Sequence, residues 1–292
     1  MYYGIVAVAV VMFGVQFLLN DKYRKESGTD SFSVFLFSFI GGLAGVICLA
    51  VINVFDFSVT PFTLIMAFAA ALNSVLCSIC TLRSLEKVNL SVYSLFSMLG
   101  GMVLPFFAGI LFYGEALTVG NIACTLLIGA SLALTLKSGK GRGGEIYYVG
   151  VFVFNGMSGV LSKIYSEAAF PKVSSKGYSL WIAIMSLAIC ALALLILIGK
   201  RRRVTWTAFG TAFGGGVLNR VANYMLLIAL AFLPASVQYP FVTGGVIVVS
   251  TVISVLTGQK PSKKEIIAVA LAFIGILALF LSFELVRLPR LL

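Results

Sequence analysis

Apolar runs long enough to cross a bilayer recur from one end of this 292-residue chain to the other, and that recurrence limits its fold more than any motif. A hydrocarbon core about 30 Å thick takes about 20 apolar residues per helix. Runs of that kind cover 2–20, 32–52, 62–82, 90–112, 118–136, 147–166, 178–198, 206–231, 235–257 and 264–284. Hydrophobic residues make up 60% of the chain and charged residues 11%. A soluble fold of this size exposes too large a shell for so few polar groups to cover. A soluble enzyme, a nucleic-acid binder and a disordered chain are therefore excluded as descriptions of the whole. The expected class is an all-α membrane protein with ten transmembrane helices, and the lipid bilayer is its first partner. The net charge of +11 does not argue for nucleic acid, because Lys and Arg stand in short loops between the apolar runs.

What the chain lacks narrows its chemistry. It has no histidine, so Ser-His-Asp catalysis and histidine proton relays are absent. Its five cysteines lie inside apolar runs. Cys77 and Cys80 have redox or metal spacing but no second pair, and read as small packed residues. No metal and no cofactor is expected. The segment Ser138-Gly139-Lys140-Gly141-Arg142-Gly143-Gly144 lacks the residue order of a phosphate-binding loop and reads as a linker. The first run lacks a basic leader and a small-residue cleavage site, and reads as a retained helix with Asp21 opening the loop behind it.

Lys and Arg give the orientation. The loops after the odd-numbered spans hold Lys22, Arg24, Lys25, Arg83, Lys87, Lys137, Lys140, Arg142, Lys200, Arg201, Arg202, Arg203, Lys260, Lys263 and Lys264. The opposite side holds Lys163, Lys172, Lys176, Arg287 and Arg290. This bias places the odd-numbered loops in the cytoplasm and both chain ends outside a cytoplasmic membrane.

The chain also repeats itself at half its length. Tyr2-Tyr3 returns as Tyr147-Tyr148, Gly14-Val15 as Gly159-Val160, Leu72-Asn73 as Leu218-Asn219 and Ser91-Val92 as Ser236-Val237, while Gly114-Glu115 is echoed by Gly258-Gln259. The near-constant offset divides the chain into a first repeat over 1–138, a linker at 139–145 and a second repeat over 146–292. Five spans per half is an odd number, so the second half enters the membrane in the opposite sense. Inverted repeats of this kind are the architecture of secondary transporters, whose halves rock around a central site.

The segment from Leu82 to Leu136, with Pro105, Gly114, Glu115 and Gly129, resembles the third-to-fifth helix block of the drug/metabolite transporter superfamily, and within it the EamA-like transporters. The second copy, Leu233 to Leu281, is looser: Gln259 stands where the acid would be and Pro240 falls early. Phe13-Gly14 replaces the family's usual Trp-Gly. The resemblance implies two five-helix repeats, a central cavity lined by the first, third, fourth, sixth, eighth and ninth helices, and metabolite efflux. It also implies cytoplasmic termini, opposite to the charge bias.

Polar groups in hydrocarbon are costly and tend to face a cavity or another helix. The run over 206–231 carries Arg220 near its middle, with Asn219 and Asn223 on one face and Tyr224 one turn beyond Arg220. Arg220 is the expected anchor for an anionic substrate group, with Asn219, Asn223 and Tyr224 as hydrogen-bond partners. Its alternative is an arginine that snorkels or pairs with a carboxylate, though no acid lies at mid-span. Further cavity candidates are Gln16, Asn73, Tyr93, Asn155, Gln238 and Tyr239, each of which could instead make an interhelical hydrogen bond. Pro105 and Pro240 are candidate gating kinks, and Glu115 reads as structural at a helix end. The expected function is alternating-access transport of small polar metabolites, amino-acid-like or anionic, by efflux or exchange and without catalysis. Its rivals are a multidrug exporter of cationic aromatics and a non-transporting sensor or scaffold. The GxxxG pairs Gly41–Gly45 and Gly210–Gly214 could serve packing within a monomer or a homodimer.

Overall fold

A computed structural model describes residues 2–113, 123, 126–127, 129–131, 134, 145–197, 199, 204–230, 235–258 and 261–287, with backbone alone at 106, 110, 113, 227, 230, 235–240, 276 and 279–287. Its regular elements are all helical: α1 (Tyr2–Ser27), α2 (Ser31–Ile52), α3 (Pro61–Lys87), α4 (Leu90–Tyr113), α5 (Glu145–Glu167), α6 (Ser175–Ile196), α7 (Trp206–Leu230), α8 (Ala235–Leu256) and α9 (Lys263–Arg287). Residues 123, 126–127, 129–131 and 134 are helical as well. Among the described residues five helices are long and apolar enough to cross a membrane: α1, α2, α3, α6 and, over Leu90–Gly109, α4. The chain is thus an all-helical protein of membrane-embedded character. The linker reading at 139–145 lies outside the described residues except for Glu145, which opens α5.

Local chemistry sets the helix ends. Thr60 caps α3 by accepting from Thr63 N at 3.2 Å, with Pro61 at the first helical position, where a missing N–H costs nothing. Ser174 caps α6 through Gly177 N. Ser262 and Glu265 form a reciprocal capping box at the start of α9. The apolar-run reading ends the first span too early. α1 continues to Ser27, so Asp21 is helical and only 1% exposed, with Arg24 at 2.8 Å and Lys25 at 2.7 Å from its carboxylate. Charges three and four residues apart pair along one helix face and let the helix outrun its apolar stretch.

Eight helices pack in a closed ring. α1 lies against α7, α7 against α2, α2 against α6, α6 against α3, α3 against α5, α5 against α4, α4 against α8, and α8 against α1. α9 packs on α8 and touches α4. Small residues let these helices approach. A Cβ on Gly100 of α4 would collide with the Phe152 carbonyl of α5, and one on Gly156 would lie 2.5 Å from the Gly100 carbonyl oxygen. Gly159 of α5 receives the ring of Pro105, the proline inside α4. Gly216 of α7 rests on Gly41 of α2, so the Gly41–Gly45 pair packs within the chain.

An aromatic stack ties α3, α5 and α6 together at the end where α6 begins. The Tyr165 and Tyr178 rings lie 3.8 Å apart and nearly parallel, and Phe62 stacks on the other side of Tyr165. The Tyr165 hydroxyl reaches Thr63 Oγ1 and donates to the Val173 carbonyl. The Tyr178 hydroxyl is buried with no partner among the described residues. A buried, unsatisfied hydroxyl costs about 1–3 kcal/mol. Tyr178→Phe, which keeps the stack and deletes that hydroxyl, is therefore expected to raise the melting temperature in detergent. A lower one would mean that the hydroxyl has a partner.

Candidate functional site

α7 presents Arg220 about halfway along its length, because the apolar positions around it hold the helix in the ring. The side chain crosses α2 at Gly45. A Cβ there would lie 3.2 Å from Arg220 Nε, 3.6 Å from Nη2 and 3.4 Å from Ala183 Cβ of α6. Gly45 is thus the gap in α2 through which the guanidinium reaches the α2–α6 seam, beside the Cys48 thiol. Arg220 is partly buried, and among the described residues it makes no hydrogen bond and no ion pair. The sequences of α2, α6 and α7 contain no Asp or Glu.

The neighbours of Arg220 divide between two faces of α7. Asn219 turns toward α1 and donates to Gln16 Oε1 at 3.2 Å. Asn223 donates back to the Asn219 carbonyl at 2.7 Å and is otherwise exposed. Tyr224 follows Arg220 around to the α6 side, where Lys176 Nζ stands 5.8 Å from its ring centroid. The structure therefore brings Arg220 and Tyr224 to one side, with Lys176 above them, and Asn219, Asn223 and Gln16 to the other.

The remaining candidates serve helix contacts. Asn73 donates from α3 to the Phe154 carbonyl and to Ser158 Oγ, both at 2.9 Å. Asn155 donates from α5 to the Ser97 carbonyl of α4 at 2.5 Å. Tyr93 is buried, edge-on to Phe17 of α1 at 5.0 Å, with its hydroxyl 3.4 Å from Thr81 Oγ1 of α3. The side chains of Gln238, Tyr239 and Pro240 lie outside the described residues, although all three belong to α8, and Glu115 lies outside them altogether. Pro105 acts as a packing wedge against Gly159. A small pocket lined by Glu26, Ser27, Phe32, Ser33, Leu36, Val204 and Thr205 lies at the opposite end of α7 from Tyr224.

Two positions that sequence reasoning passed over belong to the Arg220 site. Gly45 reads from sequence as half of a packing motif, and only the crossing of α7 reveals what it makes room for. Lys176 reads as a loop cation, and only the approach of α6 to Tyr224 places it over the same strip. The absence of acids from three whole spans was the signal that a guanidinium here would stand alone.

No family model matches this sequence, and no curated protein matches it. Among solved structures 27 chains match. One of them, described only as the crystal structure of a protein, aligns with a TM-score of 0.61 at 20% identity over 96% of this chain and 97% of that one. The likeness establishes a shared helical fold over nearly the full length of both chains.

Proposed function

We propose that this chain is a ten-helix secondary transporter of the drug/metabolite, EamA-like type. It moves small polar metabolites bearing an anionic group across the cytoplasmic membrane by alternating access, in efflux or exchange. The observation that carries this reading is the Arg220 guanidinium, half-buried at mid-depth with no counter-charge among the described residues. An ionised group at that depth is costly unless something answers its charge. A transported anion does so while bound and leaves the site unstable when it departs. Such a site has to bind and release its ligand, which suits a carrier.

The packing supports the inverted repeat. Exchange α1 with α5, α2 with α6, α3 with α7 and α4 with α8. The α1–α7 contact becomes α5–α3, α7–α2 becomes α3–α6, α1–α8 becomes α5–α4, and the α2–α6 and α4–α8 contacts map onto themselves. The exchange fails in two places: α2 packs on α3 whereas α6 has hardly any packing with α7, and α1 differs from α5. α1 packs on both α3 and α4, drawn together where Phe17 meets Tyr93, whereas α5 has hardly any packing with α7 or α8. Two halves related in this way have an alternative state related by a two-fold rotation, with the first end open and the second closed. In this reading the end where α1 finishes, held by Phe17 against Tyr93, is the closed one. The Lys and Arg bias assigns the closed end to the cytoplasm.

Counterflow in proteoliposomes tests the proposal. Vesicles loaded with unlabelled anion are expected to take up labelled anion faster than empty ones, and purified protein is expected to melt higher with that anion present. A panel of phosphates, carboxylates, amino acids and quaternary amines sets the class. Stabilisation by quaternary amines alone would replace the anion reading with the multidrug one, and sealed vesicles without any flux would remove transport.

A further inference from the structure

We propose that Lys176 and Arg220 form a two-point site for small organic dianions, molecules with one anionic group at each end such as short dicarboxylates. The proposal rests on the reading of Arg220 as the substrate anchor and names the class of substrate. Two independent side-chain contacts relate α6 and α7, which both pack on α2 and hardly on each other. The guanidinium and Ala183 Cβ both border the gap at Gly45, and Lys176 Nζ stands over the Tyr224 ring. Ala183 follows Lys176 by seven residues, two turns along the same face of α6, and Tyr224 follows Arg220 by four, one turn along α7. The two cations thus share one strip, offset along the helix axes by about 6–10 Å at a rise of 1.5 Å per residue.

That offset decides the ligand. A single carboxylate or phosphate on the Arg220 fork would leave Lys176 out of reach. An anion with a second charge a few carbons away reaches both. The guanidinium can hold one carboxylate through two parallel hydrogen bonds, and the ammonium meets the other as a point charge. No acid of α2, α6 or α7 competes for either cation. Asp56, in the adjoining loop, is exposed and accepts from the Ser58 amide. Lys176 is exposed at the end where α6 begins, so it also draws anions toward the strip. The Tyr224 ring holds it there through a cation–π contact.

Binding of succinate and of butyrate, which share a carbon skeleton but carry two charges and one, separates the possibilities on the purified full-length chain. The wild type is expected to bind succinate about tenfold more tightly, in line with one partly exposed charge pair. Lys176→Gln is expected to erase that preference by weakening succinate alone, Lys176→Arg to retain it, and Arg220→Gln to lose both ligands. Equal affinities in the wild type, or an unchanged ratio in Lys176→Gln, would overturn the two-point site and leave Arg220 as a single anchor. Failure of the wild type to bind either anion would overturn the reading of Arg220 itself.

Discussion

Gly100→Leu is expected to leave almost no monodisperse folded protein, while Gly210→Leu is expected to behave as wild type. Gly100 lies where α4 crosses α5, and a side chain there would occupy the space of the Phe152 carbonyl. At the reciprocal position, Gly156, an added Cβ would lie 2.5 Å from the Gly100 carbonyl oxygen, so neither helix can turn to relieve the clash. The obstacle is backbone, which cannot change rotamer. Overpacking costs about 1–3 kcal/mol when side chains can yield, and a whole domain is stable by about 5–15 kcal/mol. Gly100→Ala should therefore lower the melting temperature measurably, and the leucine variant should part α4 from α5. That separation opens the helix ring at a contact also held by Pro105 on Gly159 and by Asn155 on Ser97. Gly210 meets nothing within 4 Å. Yields and melting curves of the two variants in one detergent check the contrast, and a Gly100→Leu protein that melts like the wild type would mean that the helices cross elsewhere.

Glycine shows what the sequence could and could not convey. It marks Gly100, Gly101, Gly156 and Gly159 as small residues in apolar runs, and small residues allow close crossing. It cannot say which helix crosses which, because that depends on residues far apart in the chain. Gly41–Gly45 and Gly210–Gly214 carry the same spacing, yet Gly216 packs on the Gly41 backbone and Arg220 crosses at Gly45, while a Cβ on Gly210 would meet nothing and one on Gly214 only Leu19. Helix positions were easier. All nine labelled helices begin within about three residues of the apolar runs, because hydrocarbon thickness and loop punctuation both act locally. Helix ends departed more: α3 runs on to Lys87, and the extension of α1 to Ser27 came from charge pairing along the helix, a property of Asp21, Arg24 and Lys25 that an apolar window counts as an interruption.

Polar residues followed the same rule. Asn73, Asn155 and the Gln16–Asn219 pair stood out in the sequence as costly groups, and each meets a partner on a neighbouring helix. Hydrogen-bonded amides bridge helices without needing a ligand. A guanidinium differs because it cannot shed its charge, and α2, α6 and α7 offer no carboxylate to meet it. Of the polar residues that the sequence singled out within its spans, Arg220 is the one whose surroundings leave a full charge unanswered.

Arg220→Gln is accordingly expected to do two things at once: weaken binding of the anion severely and make the ligand-free protein more stable. The second effect sets a binding arginine apart from a structural one. Arg220 stands ten residues before the end of α7, about 15 Å of helix, too far for its side chain to snorkel to the headgroups. The empty protein therefore bears the cost of an unpaired cation, which a neutral glutamine removes. The anion loses charge-assisted hydrogen bonds worth about 1.5–3 kcal/mol each, a drop in affinity of about tenfold to a hundredfold or more. Gly45→Val supplies the complementary test, because it keeps the charge but closes the gap that positions it. It should weaken anion binding without the stability gain. Melting curves with and without anion, read beside counterflow rates, measure all of this together. If Arg220→Gln instead melts lower than the wild type and still exchanges anions, the guanidinium holds helices together, and the substrate is bound elsewhere in the ring.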